Sequence, residues 1–441
     1  MSEPSVAVAR EFDRMWDDLH PVGRSESTGG YRRFALTRED HTLREWFAGE
    51  SARRGLDLTT DRMGNQWAWW GDPDDAPGQG VVIGSHLDSV PDGGAYDGPL
   101  GVVSAFAVID ALREQGLRPD RPLGVVNFTD EEGARFGVAC AGSRVITGAL
   151  GADRARNLVD TDGVSMAEAL RVAGRDPHVI GRDEEALRRV GCFVELHVEQ
   201  GRALADLDPA TSAVAIGTNI WPHGRWRIDL PGMANHAGTT RLEDRHDATL
   251  LAAEMVLAVR AEAQRHSTVA TVGKLRLDPG GVNAIASHAT VWLDTRGPVE
   301  PDVRATVSAL ADEVAQRGGR ISEESWTPTT HFDAGLVSRL SAVLGDHVPL
   351  LGTGAGHDAG ILATAGLPTA MLFVRNPTGV SHSPEEFAEP GDCHRGVAAL
   401  TRVVQDLVTG AELPLRGDTS STGAEGSPPP AGPSQALSDP S

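Results

Sequence analysis

The sequence predicts an α/β protein in which a discontinuous main domain carries a smaller inserted α+β domain. Three observations support that expectation. Short apolar runs that end in charged residues alternate with helical patterns, as in a sheet covered by helices. In mid-chain the texture changes to strands that alternate apolar and polar residues, the pattern of half-solvated antiparallel strands. At 441 residues the chain also exceeds one ordinary compact domain.

The elements follow in order. Residues 4–60 mix helical patterns with polar turns, with a helix expected from about Thr37 to Arg54. VVIGSHLDSV reads as a buried strand with a polar C-terminal end, followed by the Gly- and Asp-rich loop PDGGAYDGPLG. GVVSAFAVIDALREQG reads as a helix apolar on one side. PLGVVNFTDEEG and GCFVELHVEQG are further buried strands ending in acids. From about residue 211, GRWRIDLPG and SHATVWLDTRG read as amphipathic strands beside the helices HDATLLAAEMVLAVRAEAQR and PDVRATVSALADEVAQRG. After about residue 326, GHDAGILATAG, PTAMLFV and a final helix return to the first grammar. The expected division is a main domain at 1–210 and 327–414, an insertion at 211–326, and a Pro/Gly/Ser-rich disordered tail at 415–441.

Composition narrows the function. There are 40 basic and 62 acidic residues, a net charge of −22, which disfavours nucleic acid and anionic membranes as partners. No apolar run is long enough to cross a membrane, and the N-terminus lacks a secretion-signal pattern. The three widely spaced cysteines (Cys140, Cys192, Cys393) offer neither a disulfide framework nor a thiolate metal site. The expected location is the cytoplasm.

In open α/β sheets, ligands sit beyond the carboxyl ends of the strands, and there this sequence concentrates His, Asp and Glu. His86 can ligate a metal while Asp88, two residues on, accepts its other ring N–H. Asp97 lies in a Gly-rich loop that can approach the strand end and bridge two ions. Glu131 and Glu132 are adjacent, so they repel each other unless cations intervene. One can ligate while the other faces a substrate. His197 ends a third strand, and His382 lies in a loop after a fourth. Singly, each also reads as an ordinary strand-end histidine or solvated acid. Together, imidazole and carboxylate without thiolate suit Zn²⁺, Mn²⁺, Co²⁺ or Ni²⁺, and one shared carboxylate makes a two-metal site about 3.5–4 Å across.

The motifs GSHLDSVPDGGAYDGPLG, TDEEGARFG, ELHVEQG, MANHAGTT, GGVNAIASHATVWLDTRG, GAGHDA and SHSPEEF resemble the carbamoylase branch of the M20 metallopeptidase family. That branch includes N-carbamoyl-L-amino-acid hydrolases, allantoate amidohydrolases and β-ureidopropionases. The resemblance implies a zinc-peptidase-like catalytic domain, an inserted lid and dimerisation domain, and a homodimer. It implies one metal on His86, Asp97 and His197 and a second on Asp97, Glu132 and His382, with Zn²⁺ or Mn²⁺ the first choices. Glu131 becomes the general base, His236 the oxyanion stabiliser, and Asn283 with Arg296 the substrate-carboxylate clamp. His357 and Gln200 become substrate contacts. The chain departs from the pattern at IWPHGRWRIDL, where His223 replaces a substrate-touching Gln, and at RNPTG before His382. The implied activity is hydrolysis of a linear amide or ureido C–N bond in a small carboxylate-bearing substrate, allantoate first. An N-carbamoyl-L-amino acid and then an N-formyl or N-acyl amino acid are the alternatives. A non-catalytic metal-binding relative and a purely structural α/β protein are the rival classes. Glu131 beside Glu132 argues against the first, and convergence of the five ligands would argue against the second.

Overall fold

The computed structural model describes residues 3–76, 78–208, 211–410 and Leu413. The tail expected at 415–441 lies outside them. The chain opens with α1 (Val6–Leu19) and α2 (Arg38–Arg53). Ser5 and Thr37 cap them by accepting the N–H groups of Val8 and Asp40. Next come β1 (Asp57–Thr60), β2 (Gln66–Trp70), β3 (Gly80–His86), α3 (Pro99–Glu114) and β4 (Leu123–Phe128). The short helices α4 (Ala141–Thr147), α5 (Ala152–Arg156), α6 (Met166–Val172) and α7 (Glu184–Arg189) lead to β5 (Val190–Val198) and β6 (Val214–Ile220). The middle of the chain holds β7 (His223–Pro231), β8 (Asn235–His236), α8 (Ala248–Arg265), β9 (Val269–Asp278), β10 (Ala284–Ile285), β11 (His288–Arg296), α9 (Glu300–Gln316) and β12 (Arg320–Thr327). It closes with β13 (Thr330–His331), α10 (Ala334–Leu344), β14 (Leu350–Thr353), α11 (Asp358–Thr364), β15 (Thr369–Val374) and α12 (Pro390–Thr409).

Nine strands form one sheet in the order β1-β2-β4-β3-β5-β15-β6-β13, with β14 beside β6. β3 is parallel to β4 and β5, and β15 is parallel to β5. Their carboxyl ends therefore open at one edge, which is where the sequence places its metal-ligating residues. Both faces are covered. Val81 and Ile83 point into a core shared with α1, α2, α3, α10 and α12, and Val82 points into one shared with α4 and α11.

The helix α3 was expected to be apolar on one side. It is buried nearly all round, because it lies on β3 with α1 and α12 packed over it. A Cβ at Gly101 would stand 2.4 Å from the Leu196 carbonyl and 2.6 Å from Ser85 Cβ. Glycine there lets the helix settle directly onto β3 and β5, behind His86 and His197.

A separate four-stranded antiparallel sheet, β12-β7-β11-β9, packs against α8 and α9 around its own core. Trp226, Ile228 and Leu230 point inward while Arg225, Arg227 and Asp229 face out, the period of two that the sequence showed. One boundary needs correction. β6, within the expected insertion at 211–326, pairs with β15 and β14 in the large sheet. Its run Val214–Ile216 is buried on both faces, so the small layer starts at His223.

Gly101→Ala forces α3 off the strands and is expected to lower stability by about 1–3 kcal/mol. Gly49→Ala, on α2 with nothing within 4 Å of the added methyl, is expected to raise it by about 0.5–1 kcal/mol. Urea midpoints compare the two. Equal effects of one sign would contradict the close approach of α3.

Candidate metal centre

The ligands gather at the carboxyl ends of the parallel strands. His86 closes β3, His197 is the next-to-last residue of β5, Glu131 and Glu132 follow β4, and His382 follows β15. Asp97 comes in from the loop before α3. His86 Nε2 lies 3.7 Å and His197 Nε2 3.2 Å from Asp97 Oδ1. His382 Nε2 lies 3.3 Å from Asp97 Oδ2 and 3.6 Å from Glu132 Oε2. The structure thus assembles His86, Asp97 and His197 as one potential ligand group and Asp97, Glu132 and His382 as another, with the two oxygens of Asp97 divided between them.

The donor set fits divalent cations. His86 Nε2, His197 Nε2 and Glu132 Oε1 are buried and make no hydrogen bond among the described residues, a costly state unless something else satisfies them. The Nδ1 atoms of both rings are already engaged, His86 with the Asp88 carbonyl at 3.1 Å and His197 with the Val198 carbonyl at 2.9 Å. That leaves each Nε2 aimed at the shared space, as in metal-ligating histidines whose other nitrogen is held by an acceptor.

The Asp88 carboxylate was expected to accept the His86 ring N–H. Its oxygen stands 3.4 Å from Nδ1, and its closer partners are the backbone N–H groups of Glu131 and Glu132, at 3.1 and 3.0 Å. The chain turns just after His86, so the carbonyl of Asp88 meets the ring while its side chain clamps the Glu131–Glu132 turn.

Electrostatics point the same way. Burial lifts the Glu131 carboxyl well above its usual range, with His86 opposing and Asp358, Glu132 and Asp88 adding to it. Burial and the facing Asp97 push Glu132 to about 7. Burial alone would depress His86, but the carboxylates of Glu131 and Asp88 outweigh it and hold the ring well above its usual value. Asp97 is held well below the carboxylate range despite its burial, by His197 and His382. The group is a concentration of negative charge for which a cation is the natural counterpart.

Residues that the sequence reading passed over support this shell. Glu386, quoted within SHSPEEF but given no role, accepts the N–H groups of Tyr96 and Asp97 through Oε1 at 2.7 and 2.9 Å and so fixes the loop that carries the shared aspartate. Glu195 lies beneath His197, accepts Ser85 Oγ–H at 2.6 Å and the Ala359 N–H at 3.2 Å, and ties α11 to the sheet. Its signal was its position two residues before His197 on the same strand. Gly98 (φ +87°) brings the loop onto the metal side, since a Cβ there would lie 2.4–2.6 Å from three atoms of the His86 ring.

The other expected site residues divide into three groups. Gln200 donates to Asp97 Oδ2 at 2.7 Å and, with His382 and Arg296, lines a cavity of about 600 Å³. Arg296 is held by Asp294 and by the Gly354 carbonyl, at 2.7 Å each. His357 and His223 line a second cavity of about 400 Å³, together with Cys140, whose Sγ is 3.4 Å from Glu131 Oε1. The His357 ring lies 4.5 Å from that of His197, and burial with that neighbour depresses its pKa strongly. His223 faces Arg296 across β7 and β11. Its pKa is lowered by burial, with Arg296 contributing. His236 and Asn283 are not gathered in. They sit exposed on the small layer, side by side where β8 pairs with β10, and no hydrogen bond or ion pair among the described residues ties them to the metal ligands.

The model of peptidase family M20/M25/M40 matches residues 82–406. The chain is 34% identical over 412 residues to an N-carbamoyl-L-amino acid amidohydrolase of Geobacillus stearothermophilus, covering 90% of this chain and 99% of that protein. It is 33% identical over 422 residues to a ureidoglycolate hydrolase of Oryza sativa subsp. japonica, covering 92% and 86%. A hydantoinase/carbamoylase family amidase from Burkholderia ambifaria superposes with a TM-score of 0.77 at 32% identity, over 93% of this chain and 99% of that one. The chain belongs to peptidase family M20/M25/M40 and is a hydrolase of its amidohydrolase branch.

Glu386→Ala strips two N–H groups of their acceptor and frees the Asp97 loop. Zn²⁺ affinity of chelator-stripped protein is expected to fall about 10- to 100-fold by calorimetric titration, with the far-UV circular dichroism retained. Undiminished affinity would show that Glu386 does not position Asp97.

Proposed function

We propose that this member of the M20/M25/M40 family is a two-metal N-carbamoyl-L-amino-acid hydrolase. The observation that carries the reading is the cavity of about 600 Å³ whose lining includes Arg296, Gln200 and the metal-ligand candidate His382. It suits a small substrate whose carboxylate meets Arg296 while its ureido group meets the metal ligands. A planar guanidinium fits a carboxylate through paired N–H donors.

His86, Asp97, His197, Glu132 and His382 would hold two divalent ions (Zn²⁺ or Mn²⁺ first, Co²⁺ or Ni²⁺ after), which would supply Lewis acidity toward the carbonyl and toward water. The rest belongs to the chain. Glu131, buried and 3.8 Å from His86 Nε2, takes a proton from the attacking water and returns one to the leaving nitrogen. Burial raises its proton affinity, which suits both halves of that transfer. The Asp88 carboxylate holds Glu131 and Glu132 in place through their backbone. His236 and Asn283 stand exposed, so their roles at the oxyanion and the carboxylate require the small layer to close, or a second subunit to supply them. The reading therefore includes a homodimer, for which exposed Leu250 and Leu257 on α8 offer apolar surface. Hydrolysis of R–NH–CO–NH₂ with one water gives R–NH₂, CO₂ and NH₃. Three buried cysteines without a disulfide support a reducing, cytoplasmic location.

By resemblance alone allantoate stands first. The lining of the cavity favours the reverse order. Trp221, Val269, Leu351 and Phe373 give it apolar walls, and every substituent of allantoate is polar and would lose hydrogen bonds against them. The ureidoglycolate hydrolase relative keeps small, polar ureido acids as the second reading.

Ammonia release from metal-loaded enzyme is measured for N-carbamoyl-L-amino acids, N-carbamoyl-β-alanine, allantoate, ureidoglycolate and N-formyl amino acids. N-carbamoyl-L-amino acids are expected to give the highest kcat/KM, and Glu131→Gln to lower kcat by about 10²- to 10⁴-fold with metal content unchanged. A higher kcat/KM for allantoate or ureidoglycolate would overturn the substrate. Full activity in Glu131→Gln would overturn the mechanism.

A further inference from the structure

One wall of the Arg296 cavity has no part in the hydrolytic chemistry. Trp221 lies in the short connection between β6 and β7 and is half-buried. Its backbone N–H donates to the Thr353 carbonyl at 2.8 Å, which lays the residue along the loop that follows β14. Gly352 within β14 and Gly354 just after it make room for the ring. A Cβ on Gly352 would stand 2.5 Å from the indole Nε1, and one on Gly354 would stand 3.1 Å from Cε3. The indole thus rests on bare backbone, and side chains at these glycines would displace it.

The same glycine supports the carboxylate clamp. Arg296 Nη1 donates to the Gly354 carbonyl at 2.7 Å, and Arg296 Cδ lies 3.6 Å from the position of a Gly354 Cβ. Guanidinium and indole therefore share one platform. Val269 stands opposite Arg296 in the β9–β11 register and is 55% exposed, and Leu351 and Phe373 extend the apolar lining. Arg296, His382 and Trp221 line one cavity, so a substrate whose carboxylate meets Arg296 would bring its Cα side chain into the space this wall borders.

We propose that Trp221 forms the side-chain subsite and that the preferred substrates are N-carbamoyl-L-amino acids with aromatic side chains. The proposal rests on the ureido reading above. Two facing aromatic rings gain more than their buried area alone, and a pocket for an apolar side chain discriminates by size. A purely structural Trp221, one that only braced the β6–β7 connection, would alter all substrates alike.

The test is the ratio of kcat/KM for N-carbamoyl-L-phenylalanine to that for N-carbamoylglycine, a quantity independent of how much enzyme is active. In Trp221→Ala the ratio is expected to fall roughly 10- to 100-fold, and in Trp221→Phe to stay within a few-fold of the native value. An unchanged ratio in Trp221→Ala overturns the subsite. Failure of the ureido reading is read separately. N-acetyl-L-phenylalanine carries the same carboxylate and side chain, and its calorimetric binding to the metal-loaded enzyme should weaken by a like factor in Trp221→Ala. Absent or undiminished binding overturns the subsite whatever bond the enzyme cleaves. Trp221-dependent binding without ureido hydrolysis overturns the ureido reading and leaves the subsite standing.

Discussion

The structure turns on a concentration of buried carboxylates at one edge of the large sheet. Asp88, Asp97, Asp130, Glu131, Glu195 and Asp358 are all buried there, and both oxygens of Asp130 lack a hydrogen-bond partner among the described residues. Among the described residues, no arginine or lysine forms an ion pair with any of the six. The imidazoles of His86, His197 and His382 face Asp88, Asp97 and Glu131, and Arg135 acts on Asp130 from farther off. Such an arrangement is unstable against its own repulsion unless protons or cations neutralise it. The parallel strands β3, β4, β5 and β15 collect the groups because their carboxyl ends share an edge, and α3 can press onto those strands only because Gly101 has no side chain.

Much of this was legible beforehand, and the reason is geometric. A parallel strand buried on both faces reads as a continuous apolar run, so the polar residues that end it are conspicuous. His86, Glu131, Glu132 and His197 all stand out in that way. The small layer was legible through its alternation, as Trp226, Ile228 and Leu230 show. Supporting contacts were hidden because they join distant parts of the chain. Nothing local says that Glu386 holds the amide of Asp97 from 289 residues away, or that the Asp88 carboxylate prefers two backbone N–H groups to the ring it follows. β6 was assigned to the wrong layer because its neighbours in sequence are the strands of the small sheet, whereas its neighbours in space are β14 and β15.

The site is layered in its physics. Imidazole and carboxylate, largely buried except at His382, form a polar base held in place by backbone groups. The cavity that Arg296 lines has both apolar and polar walls. A substrate there is oriented by its charge and by its size. His236 and Asn283 lie apart on the small layer, so the roles proposed for them require the two layers to approach or a second subunit to contribute. That separation is consistent with a cleft that admits substrate first and excludes water afterwards.

The proposed site would hold two cations, with Asp97 common to both ligand groups. Anomalous diffraction from crystals grown with Zn²⁺ or Mn²⁺ addresses it directly. Two peaks are expected about 3.5–4 Å apart, one beside His86 and His197, the other beside Glu132 and His382, each touching one oxygen of Asp97. A single peak away from Asp97, or none at saturating metal, would contradict the account.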